Sequence, residues 1–122
     1  IDDSVIFAQE LKQIGCDFVD CSSGGNSPNR PPVGPGFPGY QLPLSEQVRN
    51  ESDIPTIAVG MLRDYNIAEE AISNGKADLI ALGRGMLYDS RWAWHAAHEL
   101  GGKALYPNQY ARSEPEKWPK AF

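Results

Sequence analysis

The chain has 122 residues, 41% of them hydrophobic and 22% charged, which suits one small domain able to build a core. Its formal net charge of −5 argues against a nucleic-acid backbone or an anionic membrane as partner, while leaving room for a local basic pocket. No apolar run approaches the roughly 20 residues needed to span a bilayer. Ile1-Asp2-Asp3-Ser4 shows no signal-peptide pattern, and a start without methionine points to a fragment or a processed product. Cys16 and Cys21 lack metal-type partners at useful spacing. Buried, reduced thiols in a cytoplasmic setting are the expectation.

In chain order, residues 4–14 put Val5, Ala8, Leu11 and Ile14 on one helical face. Asp2, Asp3 or Ser4 is placed to cap the start, and Gly15 to end it. Residues 16–23 read as a strand with Phe18, Val19 and Cys21 as its apolar members. Residues 22–43 have a different texture, with Gly24-Gly25, Pro28, Pro31-Pro32, Gly34-Pro35-Gly36, Pro38-Gly39 and Pro43. Neither a helix nor a central strand tolerates that density. A loop of about 20 residues is unusual in a compact domain. It is either a functional loop at a strand end, with Phe37 and Tyr40 as candidate anchors, or a surface excursion. Residues 44–51 read as a short helix with Leu44 and Val48 inward.

Two apolar runs then carry the argument: Ile54-Pro55-Thr56-Ile57-Ala58-Val59-Gly60 and Ala77-Asp78-Leu79-Ile80-Ala81-Leu82-Gly83-Arg84. Such runs suit strands of a parallel sheet buried on both faces. Between them, residues 64–74 read as a helix with Ile67, Ala68, Ala71 and Ile72 inward and Gly75 past its end. A strand–helix–strand unit sends both strands the same way, so Gly60 and Gly83 share one sheet edge. Glycine lets a ligand approach backbone N–H groups, a helix start adds partial positive charge, and Arg84 adds a forked cation. Those features suit a phosphate. On spacing alone, tight turns and an Arg84 paired to a surface carboxylate stay open as the alternative.

Met86-Leu87-Tyr88 reads as a connector, and Asp89 or Ser90 as the cap of a helix that stops at Gly101-Gly102. His95 and His98 sit three apart on that helix with no further ligand cluster, so no metal is expected. Trp92 and Trp94 read as packing residues. Three parallel strands with uniform connections leave open edges, and a complete (β/α)8 barrel takes roughly 250 residues. The expected fold is therefore α/β, the C-terminal part (about strands 6–8) of a TIM barrel, completed by an N-terminal segment or a companion chain. Residues 1–102 supply the βα units, including the Pro/Gly-rich loop 22–43, and residues 103–122 form a C-terminal extension.

Asp17-Phe18-Val19-Asp20-Cys21-Ser22-Ser23-Gly24, Pro38-Gly39-Tyr40-Gln41, the two glycine-ended runs, Trp92-Ala93, Glu99-Leu100-Gly101 and Gln109-Tyr110-Ala111-Arg112 occur in that order. The ordered set resembles the C-terminal portion of the old yellow enzyme family of NADH:flavin oxidoreductases, in its thermophilic-like branch of ene-reductases. The resemblance implies a flavin-binding barrel that passes hydride from NAD(P)H through FMN to an activated alkene of the enone type. It implies that Gly60, Gly83 and Arg84 contact the FMN phosphate, with Val59 and Leu82 nearby and Ser23 and Gly24 beside the flavin. It also implies that Arg112 reaches across a dimer interface toward the neighbouring site, in a homo-oligomer of the complete enzyme. The family's catalytic residues lie upstream, so none is expected in this segment. Residues 26–33 depart from the family pattern. The alternatives are a partial barrel that holds a phosphate or FMN without hydride transfer, and a piece of another phosphate-binding TIM-barrel enzyme.

Overall fold

The structure is a computed structural model that describes residues 1–24 and 36–121. The middle of the expected loop, including residues 26–33, lies outside the described residues. The chain divides into two compact units, Ile1–Arg84 and Gly85–Phe122.

The first unit contains helix α1 (Asp2–Gln13), strand β1 (Val19–Cys21), helix α2 (Leu42–Ser52), strand β2 (Thr56–Ala58), helix α3 (Tyr65–Ser73) and strand β3 (Leu79–Ile80). Helix α4 (Arg84–Tyr88) begins at its last residue, in the stretch expected to be a connector. The three strands form one parallel sheet in the order β1-β2-β3. Val19 pairs with Thr56 and Cys21 with Ala58, and Ala58 in turn with Ile80.

Parallel neighbours need crossover helices; α1 and α3 each close on a glycine, whereas α2 ends at Asp53, itself left-handed at φ +54°. After α1, Gly15 N–H donates to Lys12 O and Cys16 N–H to Leu11 O, with Gly15 at φ +94°. After α3, Gly75 N–H donates to Ile72 O and Lys76 N–H to Ala71 O, with Gly75 at φ +70°. This paired closure satisfies carbonyls that the last turn would otherwise orphan, and its left-handed residue favours glycine. The starts differ more from expectation. Helix α1 has Ile1 at its N-cap and no side-chain cap bond, so Asp2 and Asp3 act only as first-turn acids. Helix α3 is capped by Asp64, whose Oδ1 accepts from Asn66 N–H and Ile67 N–H.

Two apolar clusters hold the unit. One joins Val5 and Ala8 of α1, Cys21, Val48 and Ile54. The other joins Leu42, Ala58, Leu62, Ala71 and Ala77, with Ile67, Ile80 and Leu82 packed against it. Both lie on the sheet face that carries Cys21, Ala58 and Ile80. The alternate row, Asp20–Ile57–Leu79, points the other way. There Asp20 and Leu79 are exposed and Ile57 is half-buried. Among the described residues only one face of the sheet is covered, as a partial barrel lacking its other strands requires. Cys16, expected to be buried, is exposed because it follows the α1 closure and precedes the strand.

The amino edge of the sheet is tied by side chains. Asp78 Oδ2 accepts from Arg49 Nε and from Thr56 N–H, both at 2.9 Å. Thr56 Oγ1 reaches Ser45 O at 3.4 Å, and Ser45 Oγ lies 2.9 Å from Lys76 O.

The second unit contains α5 (Trp92–Glu99) and three short 3-10 turns, Asn108–Ser113, Pro115–Lys117 and Pro119–Ala121. Neither Asp89 nor Ser90 is the N-cap of α5; Arg91 is, without a side-chain bond. Asp89 instead accepts from Arg91 N–H through Oδ1, while Oδ2 faces His95 Nδ1 at 2.8 Å. The expected stop at Gly101-Gly102 uses the same paired closure, onto His98 O and Ala97 O. Trp94 packs on Tyr106 and Tyr110, with the Arg91 guanidinium over both Trp94 and Tyr110. These contacts dock the tail on α5.

Candidate functional site

At the carboxyl edge of the sheet, Ser23 and Gly24 follow β1, Val59 and Gly60 follow β2, and Leu82, Gly83 and Arg84 follow β3. Parallel pairing alone brings them to one edge, and Ala81 N–H donating to Ala58 O (2.8 Å) carries the pairing just past β3. Leu82 packs against the second apolar cluster. Arg112 lies exposed on the turn Asn108–Ser113 of the second unit.

Gly60 and Gly83 have different physical reasons. Gly60 is buried at φ +126°, and a Cβ there would meet Gln41 Nε2 at 3.1 Å and Tyr40 Cε1 at 3.2 Å. Its lack of a side chain is demanded by the protein's own packing. Gly83 is exposed, its φ is not positive, and a Cβ would meet nothing within 4 Å. The described residues leave the space beside Gly83 open. Arg84, next along, is exposed, and no carboxylate pairs with it among the described residues. An open backbone beside an unpaired guanidinium suits an anionic group with several acceptor oxygens, such as a phosphate. Helix α4 has five residues, so Arg84 rather than the helix field supplies most of the charge.

A residue to which the sequence reading gave no role organises the other two strand ends. Gln41 is 5% exposed. Its Oε1 accepts from Ser23 N–H and from Ser23 Oγ at 2.9 Å, and its Nε2 donates to Val59 O at 3.3 Å. Two residues earlier, Gly39 N–H donates to Gly60 O at 2.9 Å. The segment from Gly39 to Gln41 thus lies across the ends of β1 and β2. Both of Ser23's donors are committed to Gln41, which leaves Ser23 its lone pairs and carbon atoms for a ligand. Gln41 stands in the Pro38-Gly39-Tyr40-Gln41 motif, but nothing in the local sequence distinguishes a bridging amide from a solvated one. Phe37 and Tyr40, the candidate loop anchors, meet edge to face with ring centroids 6.3 Å apart, while Phe37 itself is 53% exposed.

A depression lined by Arg49, Asp53, Ile54, Pro55 and Asp78 lies at the opposite, amino edge, where those groups are engaged in holding the fold. Among the described residues no group of three or more His, Cys, Asp or Glu side chains is arranged to hold a metal. No helix among them is long and apolar enough to cross a membrane.

Comparison with known proteins matches residues 2–102 to the NADH:flavin oxidoreductase / NADH oxidase family. The chain is 45% identical over 112 residues to an NADPH dehydrogenase of Geobacillus thermodenitrificans, covering 92% of this chain and 32% of that protein. It is 43% identical over 112 residues to an NADPH dehydrogenase of Bacillus subtilis, with the same coverage of each. An NADPH dehydrogenase of Halalkalibacterium halodurans is 42% identical over 113 residues, 93% of this chain and 32% of its own length. The chain therefore spans about a third of the length of these relatives.

Proposed function

The chain belongs to the NADH:flavin oxidoreductase / NADH oxidase family, and on that premise we propose that it is the C-terminal part of an FMN-dependent ene-reductase and supplies the FMN phosphate site. Bound FMN supplies hydride-carrier chemistry between NAD(P)H and the activated C=C bond of an α,β-unsaturated compound. In this reading the three strands are about strands 6–8 of a TIM barrel, and an N-terminal portion, in the same or a separate chain, completes it. The row Asp20–Ile57–Leu79, exposed at Asp20 and Leu79 and half-buried at Ile57, supports this, because a parallel sheet is ordinarily covered on both faces. The uncovered face is then the barrel interior. Carboxyl strand edges of such barrels carry the active site, with phosphate commonly held after strands seven and eight.

The observation that carries the phosphate assignment is the open backbone at Gly83 beside the exposed Arg84. Gly83 presents backbone without steric cover, and Arg84 donates to phosphate oxygens. Gly60 contributes through its main chain, with Val59 and Leu82 flanking the site. Ser23 and Gly24 line the flavin's side from the end of β1. Arg112 reaches a neighbouring subunit's site in a homo-oligomer, held in place through Tyr110 on the same turn. The proton-transfer and substrate-binding groups belong to the N-terminal portion, and the setting is cytoplasmic.

The test is FMN affinity of the complete protein with Arg84→Ala. Losing a hydrogen bond to a charged group costs about 1.5–3 kcal/mol, or roughly 10- to 150-fold in Kd. Unchanged affinity in that variant sinks the assignment of Arg84, and a wild-type protein that takes up no flavin sinks the whole reading.

A further inference from the structure

We infer that Gln41 is a positioning residue of the flavin pocket, a latch whose side-chain amide sets the spacing between the ends of β1 and β2. The inference rests on the flavin reading above. Its structural basis is the pair of contacts that Gln41 makes in opposite senses. Ser23 N–H is a donor and nothing else, so the amide end facing it must be the carbonyl oxygen. Val59 O is an acceptor and nothing else, so the end facing it must be the NH2 group. The amide orientation is thus forced from both sides by main-chain groups. A side chain that only accepts, or only donates, joins one strand end and repels the other.

The latch is seated tightly. Gly60 lies against it, with Gln41 Nε2 and Cγ at 3.1 and 3.3 Å from where a Cβ would stand. The Gly39 N–H to Gly60 O bond fixes the same segment by main chain. Gln41 is nearly fully buried, and no buried side-chain polar atom among the described residues lacks a partner. The residues it holds, Ser23 and Val59–Gly60, are two of the three strand ends assigned to the flavin. Gln41 therefore acts on the cofactor through them, by placing Gly24 and the Gly60 main chain and by keeping Ser23's donors turned inward.

This arrangement makes an unusual prediction for Gln41→Glu. A glutamate carboxylate sets an acceptor against Val59 O, whereas a protonated glutamic acid reproduces the amide, with C=O toward Ser23 and O–H toward Val59 O. Flavin affinity of that variant becomes dependent on pH in a way that the wild type's is not.

The experiment measures FMN dissociation constants by flavin fluorescence for the complete wild-type, Gln41→Leu and Gln41→Glu proteins, from about pH 4 to 8, a range that brackets a glutamic acid. Hydrogen exchange at the Ser23 amide is followed in parallel. Gln41→Leu is expected to raise Kd about tenfold or more, about 1.4 kcal/mol, at every pH. Gln41→Glu matches the leucine variant at neutral pH and returns toward wild type as pH falls. A variant-to-wild-type Kd ratio for Gln41→Glu that is flat with pH overturns the inference. So does wild-type affinity in Gln41→Leu alongside lost Ser23 protection. Where Gln41→Leu fails to fold, the reversible pH response of Gln41→Glu decides alone. A wild-type protein that binds no FMN at all removes the flavin reading, and with it the pocket that the latch serves. Ser23 protection lost with the amide marks that case, since the latch then exists without the cofactor.

Discussion

Asp78→Ala removes one carboxylate oxygen that two donors share at the amino edge of the sheet. Thr56 N–H lies in a residue with 0% exposure and donates to Asp78 Oδ2 at 2.9 Å. Stranding a buried donor costs about 1–3 kcal/mol. The Arg49 partner is different, because its side chain and that of Asp78 are 36% and 33% exposed. An ion pair in such a setting contributes about 0.2–1 kcal/mol. The two contributions give roughly 1–4 kcal/mol for Asp78→Ala, dominated by the amide rather than the charge. Asp78→Asn keeps an acceptor for Thr56 N–H and loses only the charged part, so it costs about 1 kcal/mol or less. Arg49→Ala falls in the same small range. Urea unfolding of the complete protein, followed by tryptophan emission, ranks the three. An Asp78→Asn variant as damaged as Asp78→Ala, or Arg49→Ala as the worst of them, refutes the reasoning.

The same site has a pH signature. The hydrogen bond from Arg49, with a further one from Thr56 N–H, holds the Asp78 carboxyl below the usual carboxylate range, against a smaller opposing effect of burial. The native state binds that proton less readily than the unfolded chain. The contribution is therefore complete above the ordinary aspartate pKa and is lost as pH falls through the lowered native one. Asp78→Asn flattens that part of the acid limb.

The glycines and cysteines give two more checks. Gly60→Ala forces a side chain into φ +126° and against Gln41 and Tyr40, at a cost of about 1–3 kcal/mol in unfolding free energy. Gly83→Ala meets open space, so it leaves the unfolding midpoint nearly unchanged while weakening FMN binding; a large stability loss there contradicts a ligand-facing role. Cys16 is exposed and Cys21 is buried, with its thiol pushed up by burial and by Asp20. A thiol reagent followed by mass spectrometry labels Cys16 in the native protein and Cys21 only on unfolding, and prompt labelling of both refutes the burial of Cys21.

Local signals carried far in this chain. Gly15, Gly75 and Gly101 end their helices where the sequence places them, because a left-handed residue after a helix is a one-residue requirement that glycine meets. The strand–helix–strand order and the shared carboxyl edge follow from apolar runs too short for helices and from crossovers that send successive strands the same way. Helix starts were less legible. Asp64 caps α3 as its position suggests, yet Asp2, Asp3 and Ser4 do not cap α1, and Asp89 binds ahead of α5 instead of at its first turn. A capping residue competes with its neighbours for the same few N–H groups, and small differences in chain entry decide the winner.

What the sequence by itself determined is the parallel order of the strands, the edge on which Gly60, Gly83 and Arg84 gather, and the family to which they belong. The first two rest on periodicity and on single-residue backbone preferences, which act over a few positions, and the family rests on the ordered set of motifs. What only the tertiary structure decided is the contact between segments distant along the chain. It separated Gly60, which packing requires, from Gly83, which packing does not. It exposed Cys16 while burying Cys21, and among the described residues it left Asp20 and Leu79 exposed on one face of the sheet. It also brought Gln41 onto Ser23 and Val59, each 18 residues away along the chain, so that one buried amide joins two strand ends. A hydrogen bond of that kind is set by where the backbone groups come to lie, and that is settled by packing rather than by any neighbour in the sequence.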